Sequence, residues 1–196
     1  NGVGTSSIAA TQSAGITLRE SAKRVTIDRN VVHANYGAGL QVNNNDSIKS
    51  IFTRNSFYDN GSITSRIGGG ATGQIGIDLN GASENANLGT APFRNLNDNG
   101  DADLGGNTLL NFPVLDTVTT VGGDITLTGW SQPGATIEVF IARVDAAEQA
   151  GYGEGQTYIG TFVEGTNDAD PDISTYVSPI NGVNQGTDNT NRFSFT

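Results

Sequence analysis

Single polar residues alternate with apolar residues in short segments that recur along the first part of the chain. The segment GITL at residues 15–18 returns as GLQV at 39–42 and as GIDL at 76–79. Such alternation is typical of short β-strands, and no stretch places apolar residues at helical spacing over three turns. A repeat at intervals of about 20 to 50 residues indicates a solenoid, in which similar units stack around one shared core.

Two asparagine positions repeat between these segments. Asn30 and Asn55 are 25 residues apart, and the same interval separates Asn35 from Asn60. Strands this short, with Gly and Asn between them, predict coils of a parallel β-helix that stack about 4.8 Å apart. We expect Asn30 to lie over Asn55 and Asn35 over Asn60, with amides bonding from coil to coil. The alternative is that they are ordinary loop asparagines.

The predicted core of the coils consists of the apolar side chains in the repeated segments. Its members are Ile16, Leu18, Val25, Ile27, Val32, Leu40, Val42, Phe52, Phe57, Ile77 and Leu79. The Gly-rich segment at residues 62–74 interrupts the repeat and is predicted to be a loop, either a binding loop or a tolerated insertion. His33 aligns with Tyr58 and is predicted to stack on it at the surface.

The order of Asn, apolar residues and Gly-Ile-x-Leu over residues 1–80 resembles the right-handed parallel β-helix repeats of the pectate-lyase-like superfamily. The resemblance is strongest to the copies in large secreted bacterial surface proteins. It implies a right-handed parallel β-helix, an extracellular or cell-surface location, and a role as a stalk, display or adhesion module. Motifs this loose carry the fold better than they carry an activity.

From about residue 116 the chain changes to short alternating segments joined by turns. Strands are predicted at residues 124–130, 135–141, 157–162 and 192–196. Turn signals about 8 to 12 residues apart favour an antiparallel β-sandwich. Its predicted interior contains Trp130, Ile137, Val139, Ile159 and Phe162. The run at residues 128–139 resembles bacterial immunoglobulin-like repeats of surface adhesins, although Trp130 stands where such modules carry a small residue.

The predicted fold class is therefore all-β, a right-handed parallel β-helix segment followed by an antiparallel immunoglobulin-like β-sandwich. Residues 1–80 are assigned to the coils, 81–115 to a cap and acidic connector, and 116–196 to a sandwich that this chain leaves incomplete. The sequence has no Met and no visible signal peptide. We therefore expect it to be a fragment of a longer protein.

Composition narrows the class of partner. The net charge of −10 argues against nucleic acid, because phosphate binding needs clusters of Lys and Arg. Cysteine is absent, so the chain has no disulfide framework. No apolar stretch approaches the roughly 18 residues of a membrane-spanning segment. The expected partner is a carbohydrate or another cell-surface ligand.

One local motif predicts a metal site. Oxygen-bearing side chains occupy alternate positions from residue 95 to residue 103, with Gly100 at the sixth position, as in the first part of a calcium loop. The predicted ligands of a structural calcium ion are Asn97, Asp98, Asn99, Asp101 and Asp103. Gly106 stands where such loops usually carry a bidentate Glu. The alternative is a solvated acidic linker.

No residue of the predicted coils is identified as catalytic by its sequence pattern. Asp78 aligns with Thr17 and Gln41 on the outward face, a column with one carboxylate and no partner. Glycosidases use paired carboxylates, and lyases on this fold use calcium with a basic residue. We therefore name no catalytic residue, and enzyme activity stays open. The first functional hypothesis is a non-catalytic segment of a surface protein. The alternative is the C-terminal part of a polysaccharide lyase or glycosidase whose catalytic coils lie upstream.

Overall fold

The computed structural model describes residues 14–43, 47–64, 70–144 and 153–196, and over these residues the fold is all-β. Two compact units are present. The first comprises Asn1–Asn95, Asp103–Leu109 and Val139–Ile159, and the second comprises Leu96–Ala102, Leu110–Glu138 and Gly160–Thr196. The predicted coil before residue 14 and part of the predicted 62–74 loop lie outside the described residues.

Seven three-residue strands form parallel ladders in the first unit. They are β1 (Ile16–Leu18), β2 (Thr26–Asp28), β3 (Val31–His33), β4 (Leu40–Val42), β5 (Ile51–Thr53), β6 (Ser56–Tyr58) and β7 (Ile77–Leu79). The ladders are β1-β4-β7, β2-β5 and β3-β6, all parallel. Ile16 pairs with Leu40 and Leu40 with Ile77, so the repeated segments lie in the register that the sequence predicts. A short 3-10 segment, Gly106–Leu109, also belongs to this unit.

Close packing explains why each repeated segment begins with Gly. A Cβ atom on Gly15 would lie 2.5 Å from Nδ2 of Asn35, and one on Gly39 would lie 2.5 Å from Cδ1 of Phe57. Any side chain at these positions would displace a corner amide or a core ring. The glycines are therefore required by space.

The corners of the first unit use single left-handed residues. Arg29 and Arg54 both have φ of 53°, and Ala34 and Asp59 have φ of 52° and 57°. Each of these residues directly precedes one of the repeated asparagines. The left-handed residue of each corner is thus the one before the asparagine. For a residue other than Gly, this conformation costs about 1–2 kcal/mol, so it persists only where surrounding contacts fix it.

One apolar cluster fills the space between the three parallel ladders. Its buried members are Leu18, Ile27, Val32, Leu40, Val42 and Phe57, with Ile16, Val25, Phe52 and Leu79 partly buried against them. These ten residues confirm most of the predicted core. The prediction for Ile77 is wrong, because its side chain is 38% exposed. It lies on β7, the last strand of its ladder, where no further strand covers it among the described residues.

Antiparallel pairing characterises the second half of the chain. The strands are β8 (Val114–Val121), β9 (Asp124–Ser131), β10 (Thr136–Arg143), β11 (Glu154–Val163) and β12 (Asn191–Phe195). β9 lies between β12 and β8 and is antiparallel to both, while β10 pairs with β11. Gly122 and Gly123, with φ of 63° and 102°, supply the two-residue turn between β8 and β9. Four of these five strands match the predicted segments.

Stacked phenylalanine rings form the interior of the second unit. The Phe195 ring lies 4.7 Å from that of Phe162 and 5.0 Å from that of Phe193. Ile137 is buried as predicted, whereas the predicted burial of Ile159 is wrong, since its side chain is 50% exposed. Ile159 and Phe162 are three residues apart on one strand, and alternate strand positions face opposite sides. Trp130, Val139 and Phe162 are half-buried.

We predict that Leu40→Ala lowers the free energy of unfolding by about 2–5 kcal/mol, because it leaves a cavity in the centre of a ladder. Ile77→Ala, on the neighbouring strand, is the control and should cost less than about 1 kcal/mol. Urea denaturation of the two variants measures both values. Equal losses would show that the first unit has no core at Leu40.

Candidate functional site

The predicted calcium loop contains a buried structural amide. Asn97 is 4% exposed, and its side chain forms hydrogen bonds within the second unit. Its Nδ2 donates to the carbonyl of Phe112 at 2.9 Å and to the hydroxyl of Tyr176 at 3.3 Å, and its Oδ1 accepts from the Phe112 amide at 3.0 Å. Asn97 therefore holds two chain segments together by hydrogen bonds.

Two of the other predicted ligands accept hydrogen bonds from backbone amides. The Asp98 carboxylate accepts from the Ala102 amide at 3.1 Å, and Asp101 accepts from the Asn111 amide at 2.9 Å. Asn99 is exposed, and Asp103 belongs to the first unit. In the part of the chain that the structure describes, no three His, Asp or Glu side chains are grouped to hold a metal ion. Calcium at this loop therefore stays a prediction from the sequence.

The predicted asparagine ladders are present at both corners. Asn30 donates its backbone N–H at 2.9 Å and its Nδ2 at 3.1 Å to Oδ1 of Asn55. Asn35 donates its Nδ2 to Oδ1 of Asn60 at 2.8 Å. The lower asparagine of each pair returns a bond to the strand above, since Asn60 donates its Nδ2 to the Val32 carbonyl at 2.9 Å. The paired parallel strands are thus joined through their corner side chains as well as their backbones.

An unpredicted carboxylate completes the inner ladder. Glu154 is 2% exposed, and its Oε2 accepts from the backbone N–H of Asn60 at 2.8 Å. Its Oε1 accepts from Nδ2 of Asn60 at 2.7 Å. Glu154 therefore occupies the place that a third asparagine would take in the column Asn35–Asn60. Sequence reasoning missed it because Glu154 lies 94 residues from Asn60 and outside the repeat.

The stacking of His33 on Tyr58 is also confirmed. Their rings lie 4.6 Å apart with an interplanar angle of 12°. His33 is exposed and extends this stack along the surface of β3 and β6. The contact is a ring stack between two paired strands.

The column that the sequence places on the outward face is covered. Asp78 is 0% exposed and Gln41 is 2% exposed. Residues 81–93, which we call the cover segment, lie over this face of the ladder. Asn43 donates its Nδ2 to the Ala86 carbonyl at 2.7 Å, and Asn80 donates its Nδ2 to the Asn85 carbonyl at 2.9 Å. The column thus faces away from the core as predicted, and the cover segment shields it from solvent.

Asp78 is a strongly perturbed acid. Burial, which is the largest cause, and the negative charge of Glu84 together raise the pKa of its carboxyl to about 7, against the opposing effect of the nearby Gln41 side chain. Neither carboxylate oxygen has a partner at hydrogen-bond distance. A perturbed acid often marks a functional site. A polymeric substrate cannot reach this one, since the residue is fully covered.

Two comparisons with known proteins found no match to this chain. No protein-family model matches the chain, and no curated protein matches it. Among the described residues, no helix has the length and apolar character needed to cross a membrane.

We predict that Glu154→Gln lowers the free energy of unfolding by about 2–4 kcal/mol, since the carboxamide places an N–H donor against the donors of Asn60. Glu20→Gln, at an exposed position, is the matched control and should be neutral. Thermal or urea denaturation at neutral pH measures the difference. A neutral Glu154→Gln would mean that Asn60 does not depend on the carboxylate.

A second prediction concerns pH in metal-free buffer. The folded-state pKa of Asp78, about 7, lies above its unfolded value, so the folded state binds the extra proton. The stability that protonated Asp78 contributes to the folded state is fully present below about pH 4. It is lost as the pH rises towards and through 7. Relative to Asp78→Asn, the free energy of unfolding of the wild type should fall by up to about 4 kcal/mol between pH 4 and pH 8. Parallel pH profiles for the two proteins would contradict a buried, uncompensated carboxylate.

Proposed function

We propose that this chain is a non-catalytic segment of a large extracellular bacterial surface protein, where it serves as a stalk, display or adhesion module. In this proposal the first unit is a piece of a right-handed parallel β-helix, and the antiparallel strands belong to an immunoglobulin-like sandwich. The sequence resemblance supplies the class of protein. The geometry of the repeat supports the mechanical role.

The observation that carries the proposal is the repeated corner. Asn30 and Asn35 each bond to the asparagine 25 residues later, and parallel ladders run on both sides of these bonds. The polar side chains of the repeated asparagines are thus engaged in bonding one coil to the next and are not available to a substrate. A stack of this kind can be lengthened by adding coils, because each unit interacts only with its neighbours.

The buried acidic residues of the first unit are also consistent with a non-catalytic role. Asp78 and Glu154 are buried, and each lies against the polar side chains of a neighbouring strand or corner. A surface enzyme of this fold would need such groups in an open cleft where a sugar chain can lie. The partner proposed for the module is accordingly a carbohydrate or another cell-surface ligand that is bound without being cleaved.

Antibodies raised against the 196-residue chain provide the test of location. We expect them to label intact cells of the organism that encodes it, and we expect protease added to intact cells to remove the signal. An antibody to a cytoplasmic protein is the control for leakage. Labelling that requires permeabilised cells would overturn the surface location.

Incubation with acidic polysaccharides tests the non-catalytic role. We expect neither new reducing ends nor the ultraviolet absorbance of an unsaturated sugar product, while pull-down on the same polysaccharides detects binding. Release of product by the wild type that Asp78→Asn abolishes would overturn the proposal in favour of a lyase or glycosidase.

A further inference from the structure

Four polar side chains form a block on the face of β4 and β7 that looks away from the core. Gln41 pairs with Asp78 in the ladder, and the backbone bond from Asn80 to the Val42 carbonyl, 2.9 Å, sets Asn80 beside Asn43. Their exposed fractions are 2% for Gln41, 1% for Asn43, 0% for Asp78 and 2% for Asn80. Neighbours in such a block are about 4.8 Å apart across the strands and about 7 Å apart along them.

The orientation of the two asparagines is fixed by the cover segment. Asn43 and Asn80 donate their Nδ2 atoms to the backbone carbonyls of Ala86 and Asn85. Rotating either amide by a half-turn would set its oxygen against a carbonyl oxygen. The orientation of both amides is therefore fixed, and their Oδ1 atoms are buried without a hydrogen-bond donor.

Acceptors exceed donors in this block. Four buried oxygens lack a partner, namely Oδ1 and Oδ2 of Asp78 and Oδ1 of Asn43 and of Asn80. One buried nitrogen, Nε2 of Gln41, also lacks one. Even if that nitrogen turned to Asp78, oxygen atoms would remain uncompensated. Unpaired buried acceptors cost about 1–3 kcal/mol each, more when they carry charge.

The charge in the block is also uncompensated. The neighbouring charge that raises the Asp78 pKa is that of Glu84, which is negative as well. Glu84 is held close by the Gly81 amide, which donates to its Oε2 at 3.1 Å. Two carboxylates together with buried amide oxygens are the surroundings that a divalent cation neutralises.

We propose that Asp78, Asn43 and Asn80 bind a hard divalent cation, calcium by preference, beneath the cover segment. All the available ligand atoms are oxygens, which hard cations favour. Calcium fits better than magnesium because magnesium gives up its water shell reluctantly, whereas this block is closed to solvent. Gly89 lies with φ of 64° directly over the Asp78 carboxylate, where a Cβ atom would meet Oδ2. The backbone thus closes the site, and the ion would fasten the cover segment to the ladder.

This site is distinct from the predicted loop at residues 95–103 and shares no residue with it. It also stands independently of the proposed surface role, since it rests only on contacts inside the first unit. Bound calcium would compete with the proton for Asp78, so the ion and low pH would stabilise the same segment in different ranges of pH.

The experiment uses the full 196-residue chain stripped of metal by a chelator. Calcium is titrated at pH 8 and constant ionic strength while thermal unfolding is followed, with magnesium and sodium as comparison ions. We expect calcium to raise the Tm of the wild type by at least about 5 °C and magnesium to raise it less. Asp78→Asn should lose this rise, and the double variant Asp98→Asn/Asp101→Asn should keep it.

Terbium luminescence gives a second measurement that does not depend on a variant. Lifetimes in H₂O and D₂O count the water molecules on the bound ion. We expect at most about four waters, because such ions take about six to eight ligands and the block supplies four oxygens. If Asp78→Asn fails to fold, Glu84→Gln replaces it and should weaken calcium binding about tenfold through the lost charge.

Three outcomes would overturn the proposal. One is a wild-type Tm unmoved by calcium at pH 8, which would leave Asp78 protonated or bonded to a buried water. Another is a calcium effect that persists in Asp78→Asn or, where that variant does not fold, unchanged affinity in Glu84→Gln. The third is loss of the effect in the double variant with a largely hydrated terbium ion, which would assign the ion to the loop at residues 95–103.

Discussion

The need to satisfy buried corner amides governs the first unit. A corner that turns between two short strands buries polar backbone, and these groups must find partners away from water. Asn35 and Asn60 supply them by bonding to each other and to the neighbouring strands. The bonds form only when the second copy of the repeat lies 25 residues after the first, so one hydrogen-bonding requirement sets the register of β2-β5 and β3-β6.

Other features of the unit follow from that register. The left-handed residues Ala34 and Asp59 aim each asparagine inward, and their backbone strain is tolerated because the amide bonds fix them. The Gly residues that begin the repeated segments leave room for the same amides and for Phe57. The apolar cluster then fills what remains. At these corners, packing and the pairing of polar groups favour the same structure, as expected of a sequence that specifies one fold.

The sequence was informative where the structure repeats. The spacing of repeated residues predicts both asparagine ladders, the parallel register of the strands and most of the core. Each of these is a local pattern that occurs at least twice in the sequence. It could not identify Glu154, because a long-range partner leaves no periodic trace. It placed Asp78 on the correct face yet missed its burial, since the cover segment has no strand or helix pattern of its own. At residues 95–103 the alternation of oxygens predicts a metal motif, but it does not indicate the hydrogen bonds from Asn97 to Phe112 and Tyr176.

The inner column has a direction as well as an order. Nδ2 of Asn35 donates to Asn60, and Nδ2 of Asn60 donates to the Glu154 carboxylate, which has no hydrogen to pass on. A column ending in an asparagine would present an open amide on an exposed strand edge, a template on which a second molecule could add and grow into a fibre. This column ends instead in two carboxylate oxygens that accept from the backbone and the side chain of Asn60. Glu154 thus occupies the amide of Asn60 to which a further repeat of the column would otherwise bond.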